Sequence, residues 1–213
     1  MFSKSILSRI YCLLVIICAF LGLGIKTGVF SGGLKLYTLI YFTNQSNLLV
    51  ILVYVIMLLF KNSRLIDFIY GLALINIIIT CAVYFAVLMP DGFYMLGAIS
   101  KWDYIGNLLL HLAVPVLVFI DFILGISGRK YFRYVYCVIW SFYLYIYFAF
   151  LVIQAYLGGF IPNQNTKYPY NFIAIDLIGW NLAFKNGILL AAVYTLLSYA
   201  VICINDLLNR YKA

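Results

Sequence analysis

Six apolar stretches, each long enough to cross a lipid bilayer, follow one another along this chain with only short polar breaks between them. A spanning helix needs about 20 predominantly apolar residues. Segments at roughly 9–29, 38–60, 66–89, 103–127, 134–157 and 186–208 meet that length. The breaks carry turn chemistry: Ser31-Gly32-Gly33, Lys61-Asn62-Ser63-Arg64, Pro90-Asp91-Gly92, Gly128-Arg129-Lys130 and the long stretch 158–185. The expected fold is therefore all-α, a polytopic six-transmembrane helix bundle forming a single domain over residues 1–213.

Composition points the same way. Charged residues make up 9% of the 213 positions, against about 25% in a soluble domain, so no separate soluble domain is expected. The net charge of +8 sits in short loops and at the ends, where basic residues set topology and meet anionic lipid rather than nucleic acid. With both termini in the cytoplasm, that side carries Lys4, Arg9, Lys61, Arg64, Arg129, Lys130, Arg133, Arg210 and Lys212. The opposite side carries Lys26, Lys35, Lys101, Lys167 and Lys185, so the bias favours cytoplasmic termini. Lys4 and Arg9 precede an apolar run without an A-x-A-like cleavage site, which reads as a retained first spanning helix. No internal repeat stands out, which weighs against an inverted-repeat transporter.

Several chemistries are excluded by what the chain lacks. It has one histidine, no glutamate and five isolated cysteines with no C-x-x-C. A zinc site or other metal centre is not expected, nor is a cofactor, and the cysteines read as small buried hydrophobes.

Against the apolar background, one run is conspicuous. Thr43-Asn44-Gln45-Ser46-Asn47 places five consecutive hydrogen-bonding side chains near the start of the second apolar segment. Such groups are costly against lipid and should face protein, water or a substrate. Gluing of neighbouring helices is the plain alternative, at about 0.6–2 kcal/mol per contact. Asn44-Gln45-Ser46 also matches a glycosylation sequon, which a membrane-buried helix makes inoperative.

The single histidine, His111, follows Asp103 and Asn107 at i, i+4, i+8 in the fourth segment, and Pro115 follows it. Pro115 removes the backbone bond that the His111 carbonyl would accept, predicting a free acceptor and a kink beside the imidazole. With cytoplasmic termini, Thr43 falls ~8 Å and His111 ~12 Å below the outer surface, at a rise of about 1.5 Å per residue. In the third segment Asn76, Thr80 and Tyr84 form one polar stripe, and the fifth adds Tyr143, Tyr147 and Gln154. A hydroxyl and an imidazole at one depth suggest nucleophilic chemistry on a lipid.

Two further residues invite attention. Gly125-Ile126-Ser127-Gly128 matches the G-x-S-G of rhomboid-type proteases, but His111 lies sixteen residues back on the same helix, roughly 24 Å away. Ser127 therefore reads as a helix terminus. Asp121 lies about 15 Å along the axis from His111, too far to orient it, and is expected to pair with Arg129, Arg133 or Lys61.

The elements Phe42-Thr43-Asn44-Gln45-Ser46-Asn47, His111-x-x-x-Pro115 and Tyr168-Pro169-Tyr170-Asn171-Phe172 together resemble the androgen-induced protein family, which includes the androgen-dependent TFPI-regulating protein, and its bacterial six-pass relatives. The likeness runs over most of the chain in order and spacing. Asn171 stands where the bacterial pattern has a second proline, and Asp176 falls later than the pattern's aspartate. The resemblance implies a multipass hydrolase of fatty acid esters of hydroxy fatty acids, in a bacterial cell membrane. It implies Thr43 as nucleophile and His111 as its partner. Asn44, Asn47 or Asn107 would then donate to the oxyanion, and Tyr84 or Tyr147 would orient the ring. The expected partner is membrane lipid or an amphiphilic ester. The alternative is a non-enzymatic membrane protein, a small transporter or lipid-binding subunit with a polar intramembrane site.

Overall fold

The structure, a computed structural model, describes residues 6–61, 63–89, 101–162 and 164–210. The expected turn at Pro90-Asp91-Gly92, and Lys4 and Lys212 of the charge count, lie outside the described residues. Six helices among the described residues are long and apolar enough to cross a membrane. They are α1 (Ile6–Lys26), α2 (Phe42–Leu59), α3 (Arg64–Leu88), α4 (Lys101–Leu124), α5 (Tyr136–Tyr156) and α6 (Ile175–Arg210). No strand occurs among the described residues.

Among the bounds that differ from the sequence reading are the end of α4 and the start of α6. Helix α4 stops at Leu124 rather than 127, because Gly125 takes a left-handed conformation (φ 67°) and its N–H closes on the Asp121 carbonyl. Helix α6 begins at Ile175, well before 186, and is broken at Gly179 (φ 76°, ψ 164°). That conformation is open essentially to glycine alone, so the early turn and the long helix meet there. Asp176 anchors the early turn by accepting from Thr166 Oγ1 at 2.6 Å and from the Lys167 N–H at 2.9 Å. Sequence periodicity missed this turn because Asp176, Asn181 and Lys185 interrupt the apolar run.

By contact the chain groups into two units, one of Met1–Phe132 with Cys203–Ala213 and one of Arg133–Ile202. In the first, α1 packs on α2 and α4, and α3 also packs on α2 and α4, so four helices close a ring. Small residues mediate the approach. Helix α1 buries Ser8, Cys12, Val15, Ala19 and Gly22 on one stripe while Leu13, Leu14, Ile17 and Phe20 are exposed. An added Cβ at Gly22 would lie 2.6 Å from Leu110 Cδ2, so glycine there lets α1 lie close against α4 beside His111. In the second unit, Trp140, Leu144, Tyr147 and Leu151 of α5 are buried, as are Ala191 and Tyr194 of α6.

A buried polar node holds one end of the ring. Asp121 of α4 accepts from Tyr54 Oη of α2 at 2.7 Å, Tyr70 Oη of α3 at 3.0 Å, and both Oγ and N of Ser127 at 2.7 Å. Phenols and a serine, not the expected Arg129, Arg133 or Lys61, are the hydrogen-bond partners of this carboxylate. Arg129 donates instead to the Phe122 carbonyl at 3.2 Å. The reason is local: the turn after Gly125 folds Ser127 back onto Asp121 and carries Arg129 away from it. Ser127 thus lies in the turn that ends α4, near the helix terminus that its sequence position suggested.

Removal of one donor leaves Asp121 three others, whereas removal of the carboxylate strands two tyrosine hydroxyls and a serine together. Thermal unfolding in detergent should therefore show Tyr54→Phe losing about 1 kcal/mol and Asp121→Leu losing more than about 3 kcal/mol. Equal losses would mean that the four bonds do not act as one node.

Candidate functional site

The polar run that begins α2 is spent mostly on its own backbone. A short 3₁₀ turn, Leu36–Ile40, precedes the helix, and Tyr41 is extended (φ −70°, ψ 132°). Asn44 Nδ2 donates to the Thr38 carbonyl at 2.7 Å and Gln45 Nε2 to the Leu39 carbonyl at 3.0 Å. Ser46 Oγ donates to the Phe42 carbonyl at 2.8 Å. The Asn44 and Gln45 bonds strap the helix start to the preceding turn, while Ser46 bonds back within the first turn of α2. The side chain of the run whose bond crosses to another helix without any local backbone bond is Thr43.

Thr43 Oγ1 lies 3.1 Å from His111 Nε2 on α4. The other ring nitrogen, Nδ1, lies 3.0 Å from the Asn107 carbonyl one turn earlier. A carbonyl only accepts, so Nδ1 carries the proton of the neutral ring and Nε2 presents its lone pair to Thr43. The Thr43 hydroxyl donates into that lone pair, which is the arrangement a hydroxyl needs for its proton to be taken by an imidazole. Both residues are buried, Thr43 at 8% exposure and His111 at 7%.

The third helix supplies a wall. Tyr84 of α3 stacks on the imidazole with ring centroids 3.9 Å apart and planes 23° from parallel. Tyr84 opens a π-helical turn, Tyr84–Leu88, and His111 lies within another, Leu109–Ala113. Each wide turn inserts an extra residue, and such turns recur at functional sites. The buried stripe Asn76, Thr80, Tyr84 is as the sequence predicts, with Thr80 Oγ1 donating to the Asn76 carbonyl at 2.9 Å.

A pocket of about 90 Å³ adjoins the imidazole, lined by Tyr84, Phe85, Met89, Tyr104, Asn107, Leu108, His111 and Leu112. Phe85, Met89, Tyr104, Leu108 and Leu112 are exposed on the outer face of the helices, so the pocket opens sideways onto apolar surface.

The five other candidate residues fall into three groups. Asn107 and Tyr84 line the pocket. The Asn44 amide donates to Thr38, and Asn47 Nδ2 donates to the Thr43 carbonyl at 2.8 Å and the Leu110 carbonyl at 3.3 Å. Tyr147 is buried in the second unit. The Asn107 carbonyl, which sets the tautomer, was legible only as an i, i+4 spacing. Among the described residues no cluster of histidine, cysteine and acidic side chains could hold a metal ion. No family model, curated protein or solved structure matches this chain.

Loss of the Tyr84 ring should be felt by the imidazole it covers. Tyr84→Leu should unfold more easily than Tyr84→Phe by about 0.5–1.5 kcal/mol, the worth of an aromatic stack beyond its area. Chemical denaturation of the two variants in detergent measures the difference; no difference would deny the stack an energetic role.

Proposed function

We propose that this protein is a multipass membrane protein with both termini in the cytoplasm, in a bacterial cell membrane, and that it hydrolyses lipid esters of the fatty-acid-ester class. The observation that carries this reading is the Thr43–His111 contact at 3.1 Å with the opposite ring nitrogen held by a carbonyl. An unactivated threonine is a poor nucleophile, and this pairing supplies the base it needs.

An ester reaches His111 sideways through the apolar opening between α3 and α4, and its carbonyl passes the imidazole to meet Thr43, which does not itself line the pocket. Thr43 Oγ attacks the carbonyl carbon while its proton passes to His111 Nε2. The tetrahedral intermediate collapses as the bond to the leaving alcohol breaks, and His111 returns the proton to that oxygen. Water then attacks the acyl-threonine, giving its proton to His111. Thr43 leaves with that proton and the free acid departs. Asn107 is the favoured oxyanion donor of the three asparagines, because it lines the pocket while the amide of Asn47 is spent on two carbonyls. One such donor contributes about 3 kcal/mol to a transition state. No acidic third residue is invoked, since a backbone carbonyl fixes the ring.

The rival reading, a non-enzymatic membrane protein that binds a small amphiphile, draws on the run Asn44-Gln45-Ser46, whose side chains serve the backbone. The two readings separate in one experiment. The detergent-purified protein is offered fatty-acid esters and a fluorophosphonate probe beside Thr43→Ala, Thr43→Ser and His111→Ala. A hydrolase should label covalently at residue 43, lose label and turnover in Thr43→Ala, and lose about 10²–10⁴-fold in His111→Ala. Turnover that survives in both alanine variants removes the mechanism, and binding without label that tolerates Thr43→Ser favours the rival.

A further inference from the structure

Asn47 and Pro115 come from different helices, yet the structure couples them. In the π-helical turn of α4 the backbone runs in the wide register, with the Val114 N–H on the Leu109 carbonyl. The next bond in that register would join residue 115 to Leu110, and proline has no N–H to give. The Leu110 carbonyl is thus left without that backbone donor. Asn47 Nδ2 reaches it at 3.3 Å from α2, and the same nitrogen donates to the Thr43 carbonyl at 2.8 Å. Both hydrogens of the amide are engaged, and Asn47 is fully buried.

The orientation of the amide follows from its partners. Turned over, it would set Oδ1 against two carbonyl oxygens, so Nδ2 must face them and Oδ1 is left without a partner among the described residues. A buried acceptor left unpaired is costly, a cost set against the two bonds that the nitrogen makes. Those bonds go to the residue that bears the hydroxyl and to the residue next to the imidazole.

We infer that Asn47 is a positioning residue, whose amide fills the donor gap made by Pro115 and thereby holds Thr43 and His111 in hydrogen-bonding register. This assignment builds on the hydrolase reading but can fail separately from it. It replaces an oxyanion role for Asn47 with one exerted through the pair.

The single histidine makes the geometry directly observable. Protein carrying ¹⁵N-labelled histidine, purified through an affinity tag free of histidine, contains one imidazole. Wild type should show one protonated and one bare ring nitrogen, the pattern of a fixed tautomer. Asn47→Leu, close in shape but without the donor, should move both signals toward the average of two exchanging tautomers. It should lower the fluorophosphonate labelling rate about 10²-fold, with the loss in kcat rather than KM.

Pro115→Ala is the second variant, needed if Asn47→Leu does not fold. It restores a backbone N–H that competes for the Leu110 carbonyl while leaving Asn47 in place, and alanine suits a helix. It should shift the ring signals in the same direction. Unchanged ring signals in the folded variants, whether Pro115→Ala alone or both, overturn the assignment. A wild type that shows the fixed tautomer yet never labels leaves the positioning intact and removes the hydrolase.

Discussion

Polar groups inside an apolar helical unit must find each other, and the arrangement of α2, α3 and α4 is organised around that requirement. Each helix contributes one side chain to each of two buried nodes. Thr43, Tyr84 and His111 make the first; Tyr54, Tyr70 and Asp121 make the second. The spacings match: eleven residues separate Thr43 from Tyr54 and ten separate His111 from Asp121, so α2 and α4 each advance about 15–17 Å between nodes. Helix α3 runs the other way, from Tyr70 to Tyr84. A shift of α2 along α4 would break both nodes together, because an unpaired buried polar group is expensive at either level.

The two nodes differ in what their chemistry permits. At Asp121 four donors converge on one carboxylate, and nothing is left over to react. At His111 the Asn107 carbonyl commits one nitrogen and leaves the other presenting a lone pair to a single hydroxyl, beside a pocket. The first pattern stabilises and the second is poised for proton transfer. Backbone irregularity gathers at the second: both π-helical turns and Pro115 lie there, whereas the Asp121 end is closed by an ordinary left-handed glycine.

Much of this was legible in the residues, for definable reasons. Helix number followed from apolar length. The stripe Asn76, Thr80, Tyr84 followed from the 3.6-residue period. The misreadings also have causes. The aspartate at 121 seemed to need Arg129, Arg133 or Lys61 because charge pairing is the obvious solution near basic residues, and a turn that folds Ser127 back leaves no trace in local spacing. Sequence shows a side chain's donors but not the backbone oxygens it meets, as with Asn47, whose amide nitrogen donates to two carbonyls.

The sequence by itself determined that six helices form, which of their residues are polar, and that one hydroxyl-rich run and one imidazole stand out in an apolar chain, since length, period and composition are local properties. Only the tertiary structure decided that Thr43 rather than its four polar neighbours meets the imidazole, and which ring nitrogen it meets. Those outcomes depend on the rotation of one helix against another and on the register within a π-helical turn. Both are set by packing between residues some seventy positions apart, beyond the reach of any local pattern.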